Sequence, residues 1–352
     1  MRRIKLLFII ALVILSANNC LLYAQQEAAS ESALVYYMPQ TILVFDIEYE
    51  QITETKGIFY QYSERYLGTK DVILEDGVSY RLTKINMRTR VEADKNRCYT
   101  IPLNEKSLQN CNISLTNKGL LAGINLKAVS EQPTSKSHAV ITEEEPACNR
   151  SGLVPYLEEQ MRANSVAKMA ESTAKQIYRI RESRLNLLSG DAEHIPSDGS
   201  SMALVLSELD KQEQALAELF TGSRSVEKKH YSLEYAPQQS TRREVLLRFS
   251  QFSGICEKDD LSGEPIYMTL EIDKPQIEEN VEEKKVQMSP IFYNMPGNAS
   301  LQVEYKDQIR IDKKLAIAQA GIAIPLAQDI FKKSAPEIVI DPKTGSLKSI
   351  KK

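Results

Sequence analysis

Hydrophobic and polar residues alternate along the N-terminal part of the chain, and this pattern predicts β-strands between residues 34 and 129. Leu43, Phe45, Ile47 and Tyr49 alternate with Val44, Asp46, Glu48 and Glu50. The last three of these intervening residues are acidic. A period of two is typical of a strand with one buried face. A second alternating run begins at Tyr80 but slips by one residue at Thr83 and Lys84, which predicts a β-bulge.

A short helix is expected between these strands. Phe59, Tyr62 and Tyr66 lie at spacings of three and four, so they share one helical face, and Gly68 follows. A glycine directly after such a run commonly ends the helix in a left-handed conformation.

The middle of the chain changes to a helical period. A polar connection over residues 130–150 precedes two apolar stripes, over 153–189 and 201–221, which end at Gly190 and Gly222. The first is basic on its outer face and the second is acidic, so their charges are complementary. This pattern predicts a long antiparallel helical hairpin with a capped linker.

Alternation returns after residue 226. It covers residues 245–249 and 266–272, and a third strand is expected from Leu301 after a turn at Pro296–Asn298. The resulting prediction is an α+β fold, with two mainly antiparallel β-rich regions connected by the helical hairpin. The predicted divisions are a signal peptide over 1–24, an N-terminal β-rich domain over 25–150, the hairpin over 151–223 and a C-terminal β-rich domain over 224–352.

Two segments of the chain share one spacing of glycine, leucine and isoleucine. Gly119-x-Leu121-x-x-Ile124 matches the spacing of Gly345-x-Leu347-x-x-Ile350. Each can be the second strand of a hairpin whose turn places glycine at positive φ. The shared spacing is consistent with a duplicated β-domain, and ordinary hairpin chemistry explains it equally well.

The first 24 residues have the organisation of a signal peptide. Arg2, Arg3 and Lys5 precede the apolar stretch 6–17, and Ala24 suits cleavage before Gln25. Twelve apolar residues are too few for a comfortable membrane span. Cys20 raises a lipoprotein alternative, but asparagine precedes it where a very small residue is required. We therefore expect an exported chain, periplasmic or on the outer surface, with no membrane span after cleavage.

Composition excludes some classes of function. The 352 residues carry 44 Lys+Arg and 47 Asp+Glu, a net charge of −3 that becomes −6 when the three cations of the signal peptide are removed. Such a chain has no general basic field, so nucleic-acid binding is not expected. Its length is more than one compact core usually needs.

Four cysteines remain after cleavage, at Cys98, Cys111, Cys148 and Cys256. Export makes disulfides feasible, with three pairings available, and buried or incidental thiols with at most one bridge are an equal alternative to two bridges. None of the cysteines forms a CxxC pair, so zinc-ribbon and thioredoxin-like chemistry lack their usual support.

Candidate metal and catalytic residues are sparse. The histidines are His138, His194 and His230, and none lies in a ligand-spaced cluster. His194, with the nearby acidic residues Asp191, Glu193 and Asp198, could offer oxygen-rich ligands to a hard cation. Caps or solvated charges explain these residues better, so no metal, cofactor or catalytic residue is predicted.

Standard nucleophile and phosphate-binding motifs are missing from the sequence. Paired carboxylates for hydrolysis of an extracellular polymer stay open, because the fold sets their separation. The absence of tryptophan leaves such an enzyme without the commonest sugar platform.

Aromatic residues are concentrated between residues 36 and 66. Two interpretations are a stacking surface for a glycan or peptide and a set of core rings, and the second is favoured because tyrosine suits half-buried strand positions. The residues are Tyr36, Tyr37, Phe45, Tyr49, Phe59, Tyr60, Tyr62 and Tyr66.

Three stretches carry a family resemblance: residues 36–50, with Tyr36-Tyr37-Met38-Pro39, the second helical stretch 198–222, and the ending 345–350. Together they resemble an uncharacterised family of exported Bacteroidetes proteins, carried under a domain of unknown function. The resemblance implies an exported protein of a Gram-negative cell and brings no catalytic residues. We therefore expect a non-enzymatic envelope protein that binds a partner protein or an extracellular polymer. A carboxylate-dependent hydrolase and a structural accessory of an assembly are the alternatives.

Overall fold

Strands dominate the structure, a computed structural model that describes residues 33–102, 111–126, 165–192, 196, 198–276, 288–332 and 336–351. Of these residues 55% are in strands and 23% are helical. The predicted α+β class is therefore wrong, because the described chain is mainly β.

The strands of the described ranges are β1 Ala33–Thr55, β2 Gly77–Pro102, β3 Ile113–Leu115, β4 Leu121–Ile124, β5 Ser223–Tyr235, β6 Thr241–Ser250, β7 Gly254–Cys256, β8 Glu264–Asp273, β9 Met288–Tyr305, β10 Gln308–Ala327, β11 Glu337–Ile340 and β12 Leu347–Lys351. The helices are α1 Ser63–Leu67, which follows a 3₁₀ turn at Tyr60–Tyr62, α2 Val166–Ser189, α3 Gly199–Thr221 and α4 Asp329–Lys332.

These strands form three sheets, in the orders β2-β1-β5, β10-β9-β8-β6-β7 and β12-β11-β4-β3. Every paired strand is antiparallel to its neighbour. β1 is the central strand of the first sheet, where Leu43–Thr55 pairs with Ser223–Tyr235 of β5.

The two separate β-rich regions of the prediction do not occur. One core joins Phe45 of β1 and Met87 of β2 to Met268, Leu301 and Ile317 of the five-stranded sheet. Strands from before and after the helices thus bury their apolar faces against each other, so the helices do not connect two independent β units.

A second core lies under the four-stranded sheet. It contains Tyr36 of β1, Ile101 of β2, Ile124 of β4, Ile291 of β9 and Ile338 of β11. The long strands β1 and β9 therefore contribute to both β cores, with one half in each.

The helices pack beside the sheets and form a third core. Ala170 and Ile177 of α2 are buried with Leu216 and Phe220 of α3, and Phe59 of the β1–β2 connection joins them. The amide of Phe59 donates to the carbonyl of Leu219 at 2.7 Å, which attaches α3 to that connection.

Several local predictions are confirmed. α1 ends at Gly68 with φ at +71°, and α2 ends at Gly190 with φ at +86°. The register between β1 and β2 shifts by one residue at Thr83, which has no partner in β1. This is the predicted bulge. The turn predicted at residues 296–298 is wrong, because β9 runs continuously through it.

The two ends of the described chain repeat one topology. β1 and β2 form a long hairpin that is followed by the short hairpin β3–β4, and β9 and β10 form a long hairpin that is followed by β11–β12. Gly119 and Gly345 lie in the two short turns with φ at +73° and +74°. Their carbonyls accept equivalent hydrogen bonds, from Tyr37 N at 2.9 Å and Asn294 N at 2.7 Å.

Each long hairpin also has three extra residues at its bend. Tyr37 and Met38 are adjacent in β1, but their partners in β2 are separated by residues 95–97, which have no partner in β1. Between Ile317 and Ile322, β10 likewise has three more residues than the paired stretch of β9. The similarity between the two glycine-containing segments thus extends over four strands in each half, β1–β4 and β9–β12.

The two bends hydrogen-bond to each other. Gln319 accepts at Oε1 from the amide of Thr41 at 2.8 Å, and its Nε2 donates to the carbonyls of Thr41 at 2.9 Å and Pro237 at 2.8 Å. Arg97 donates to the carbonyl of Ala318 at 3.2 Å. Gln319 is a polar residue within an apolar run of the sequence. Its side-chain amide explains this, because it bonds the backbone of Thr41 as a neighbouring strand would.

We expect Gln319→Leu to lower the free energy of unfolding by about 2 to 4 kcal/mol, because the amide and carbonyl of the buried Thr41 lose their side-chain partner. Urea denaturation of both proteins measures the difference. Gln302→Leu is the matched control, since that amide makes one long hydrogen bond of 3.5 Å to Asp312. Equal losses in the two variants would contradict the role given to Gln319.

Glu213 of α3 accepts hydrogen bonds from Arg181 at 2.6 Å and from Arg184 at 2.5 Å. Burial raises the pKa of Glu213, but the two guanidinium hydrogen bonds outweigh it, and the pKa lies below its ordinary value. The charged carboxylate therefore adds stability above the pKa of an unfolded glutamate, and this stability is lost as pH falls through the folded pKa.

We expect Glu213→Gln to cost about 1 to 2 kcal/mol of unfolding free energy at pH 7 and much less at pH 3. Denaturation curves of both proteins at the two pH values give the comparison. The more exposed Glu208→Gln serves as control. A loss for Glu213→Gln that is independent of pH would show that the ion pairs do not stabilise the helices.

Candidate binding groove

A groove of about 720 Å³ opens at the edge of the first core. Ile52 of β1 and four segments line it: the start of β2 at 79–82, the end of β6 with the β6–β7 turn at 248–252, the β7–β8 loop at 261–265, and the β9–β10 turn with Tyr305, Lys306 and Arg310. Its volume is within the usual range of ligand sites.

The groove is closed on one side by a contact between the first two sheets. The amide of Tyr80 in β2 donates to the carbonyl of Gln251 in the β6–β7 turn at 2.7 Å. Gly254 has φ at +75°, and a Cβ there would lie 3.2 Å from the ring of Tyr80. Glycine therefore serves both the turn and the close approach of the sheets.

Aromatic rings form the apolar wall. Tyr80, Phe249 and Tyr305 line the groove, and Tyr49 stands behind them in β1. Ring centroids are 6.2 Å apart for Tyr80 and Tyr49, 5.9 Å for Tyr49 and Phe249, and 6.4 Å for Phe249 and Tyr305. These are the spacings of favourable aromatic pairs.

Phe252 and Leu261 stand on the rim, each 81% exposed to solvent. An ordered turn presents Phe252: the buried hydroxyl of Ser250 accepts from the amides of Phe252 at 3.2 Å and Ser253 at 3.4 Å. Hydrogen bonds within the turn thus hold a large apolar ring in water.

The loop that carries Leu261 is also constrained. Arg248 donates to the carbonyls of Lys258 at 2.8 Å and Gly263 at 3.1 Å, one on each side of Leu261. Asp260 accepts from the amide of Ser262 at 2.9 Å, and this backbone hydrogen bond is the main cause of its lowered pKa. Two exposed apolar side chains are therefore presented by two braced turns.

The charges of the groove are mainly positive. Arg81, Arg248, Lys306 and Arg310 line it, with Glu264 as the carboxylate among the lining residues. Glu50 pairs with Arg81 at 2.6 Å from outside the groove. Counting both carboxylates leaves a formal excess of two positive charges, in a chain whose net charge is −3.

Tyr305 keeps its proton at neutral pH. Burial raises the pKa of its hydroxyl, Glu264 raises it further, and Arg310 opposes them. The phenol is therefore a neutral hydrogen-bonding group on a ring that lies near Lys306 and Arg310.

A second hollow of about 670 Å³ lies on the five-stranded sheet and includes Glu271 and Asp273 of β8, with Lys314 of β10. The hydrolase alternative requires such a pair of carboxylates. Both are exposed, whereas a catalytic acid of a glycosidase is a partly desolvated carboxyl group. The hollow therefore adds no specific support for hydrolysis.

Two of the acidic residues considered for metal binding, Asp191 and Asp198, lie within the described chain. Asp198 is the N-cap of α3, where it accepts from the amide of Ser201 at 2.7 Å. His230 is exposed on β5, while His138, Glu193 and His194 lie outside the described residues. No cluster of three or more metal-ligating side chains occurs among the residues described.

The cysteines of the described ranges are free thiols: Cys98 is exposed, Cys111 is half-buried and Cys256 is buried. Cys148 and Cys20 lie outside those ranges, as do the predicted signal peptide and the boundary at residue 150. No helix of the described chain is long and apolar enough to cross a membrane.

The family model described as a domain of unknown function, DUF4831, matches residues 32–348. The chain belongs to this family. The match includes strands of all three sheets, ends within β12, and contains every residue that lines the groove. Searches of the curated proteins and of the solved structures returned no match.

The sequence of the DUF4831 chain did not reveal the groove. Phe252 and Leu261 each occupy the middle of a turn-like sequence, Ser-Gln-Phe-Ser-Gly and Asp-Asp-Leu-Ser-Gly. A large apolar residue inside a turn signal would have indicated an exposed apolar position. The early aromatic cluster instead supplies core residues, with Tyr36, Phe45 and Phe59 each in a different core.

We expect Arg248→Lys to loosen the β7–β8 loop, because one ammonium group cannot span the two carbonyls on either side of Leu261. Amide hydrogen exchange over residues 257–263 should become faster by about tenfold, while exchange in β8 stays slow. Arg242→Lys, an exposed arginine of the same strand β6, is the control. Unchanged exchange in the loop would show that Arg248 does not brace it.

Proposed function

We propose that the protein is an exported, non-enzymatic binding protein of the cell envelope and that the groove is its contact site. The observation that carries this proposal is the pair Phe252 and Leu261. Exposed apolar side chains cost solubility, and here each is held outward by hydrogen bonds that brace its turn. Such an arrangement suits a surface that a partner covers.

The chemistry of the groove supports binding over catalysis. Four cations line the groove, and three of them lie close to its turns. Arg248 is in β6 beside β7, and Lys306 and Arg310 are at the β9–β10 turn. Aromatic rings and guanidinium groups beside exposed apolar residues are the composition of binding hot spots. A positive groove in an acidic chain would also favour an acidic partner during encounter.

The place of action follows from the first 24 residues. A basic start, a 12-residue apolar stretch and Ala24 before Gln25 support export with cleavage after Ala24. Together with the resemblance of residues 36–50, 198–222 and 345–350, this supports a Gram-negative envelope protein of the Bacteroidetes, periplasmic or on the outer surface.

A photo-crosslinking amino acid placed at position 252 in living cells tests the proposal. We expect a discrete adduct with an envelope component, formed by a mature chain that begins at Gln25. The same amino acid at position 188 of α2 is the control, since Leu188 is also an exposed apolar residue, 62% accessible, outside the groove.

Equal adducts from both positions, or an adduct from position 188 alone, would contradict the groove as the contact site. A chain that retains residues 1–24 inside the cell would contradict export.

A further inference from the structure

Lys306 and Arg310 are groove cations without a carboxylate partner among the described residues. Lys306 Nζ lies 5.5 Å and Arg310 Cζ lies 5.9 Å from the centroid of the Tyr305 ring. Arg81 is neutralised by Glu50, and two donors of Arg248 in β6 are used by the carbonyls of the β7–β8 loop. The two cations at Tyr305 are therefore the ones available to an acidic ligand.

The backbone at Lys306 is unfavourable for its residue type. The β9–β10 turn has two central residues, Lys306 and Asp307, with φ at +50° and +57°. Both lie in the left-handed region, where turns of this kind strongly prefer Asn-Gly. Lysine has no local hydrogen bond to favour that conformation, so the position is occupied at a cost in stability.

The rim restricts the kind of acidic ligand. Phe252 and Leu261 offer exposed apolar contact near the cations, and a leucine side chain has no ring for a sugar to stack on. A polypeptide segment can present carboxylates and apolar side chains together. An acidic polysaccharide would satisfy the cations and could stack a sugar on the Phe252 ring, but it would leave Leu261 uncovered.

Resting on the proposed function, we propose that the groove binds an acidic polypeptide segment of a partner protein, with apolar side chains interspersed among its carboxylates. Lys306 and Arg310 receive the carboxylates, and Phe252 and Leu261 contact the apolar side chains. The two cations determine the specificity of the groove.

Fluorescent decapeptides test this with the full mature chain. We expect a peptide of alternating Glu and Leu to bind about tenfold more tightly than one of alternating Glu and Ser, and binding to weaken as salt rises. Lys306→Asn and Arg310→Ala should each weaken the Glu/Leu peptide by about tenfold. Phe252→Ser should bring its affinity close to that of the Glu/Ser peptide.

Two controls separate charge from backbone conformation. Asp307→Gly relieves the same turn and keeps both cations while it removes a negative charge, so it should not weaken binding. Arg179→Gln removes one exposed positive charge from α2 and should also leave binding unchanged. Lys306→Asn should unfold at a urea concentration equal to or above that of the parent chain, because asparagine tolerates the left-handed region.

Tighter binding of polygalacturonate than of the Glu/Leu peptide would overturn the inference in favour of a polysaccharide. Equal binding by the parent chain and Lys306→Asn, or no peptide binding at 1 mM, would also overturn it. A crosslinked partner at position 252 combined with no peptide binding would refute the ligand class while leaving the proposed function intact.

Discussion

The contact between the bends of the two long hairpins is the constraint on which the β structure depends. Gln319 replaces a strand partner for Thr41, and Arg97 from the opposite bend reaches Ala318. Because each hairpin bends there, one half of it faces the first core and the other half faces the second. A fault at this point would therefore affect both cores, since the same strands build them.

The groove depends on that arrangement at a distance. The first core brings β2, β6, β8 and β9 together, and the groove forms where their turns meet at its edge. Its turns are braced locally, by Ser250, by Arg248 and by the close approach of Gly254 to Tyr80. Residues of the proposed site with unfavourable exposure, such as Phe252, or an unfavourable backbone, such as Lys306, can be held in place because the surrounding strands pack into one core.

Sequence patterns predicted the features that local chemistry decides. Thr83 breaks an alternation and Gly68 follows an apolar stripe, so the bulge and the end of α1 could be read from neighbours a few residues away. The pairing of Leu43–Thr55 with Ser223–Tyr235 spans nearly two hundred residues and leaves no local mark. The chain was therefore divided in sequence order into separate β regions, and the fold class was wrong.

The groove was unpredictable for the same reason, since its four lining segments meet only after the sheets pair. Gln319 illustrates the difficulty: in sequence it is a polar interruption, and only the neighbouring bend explains it. Comparison of the two repeated halves shows where the site comes from. β9 has β8, β6 and β7 beyond it in its sheet, whereas β1 has β5 alone. The turns that present Phe252 and Leu261 belong to these added strands. The candidate site thus combines the repeated hairpins, which supply Tyr80, Lys306 and Arg310, with strands that the repeated topology does not require.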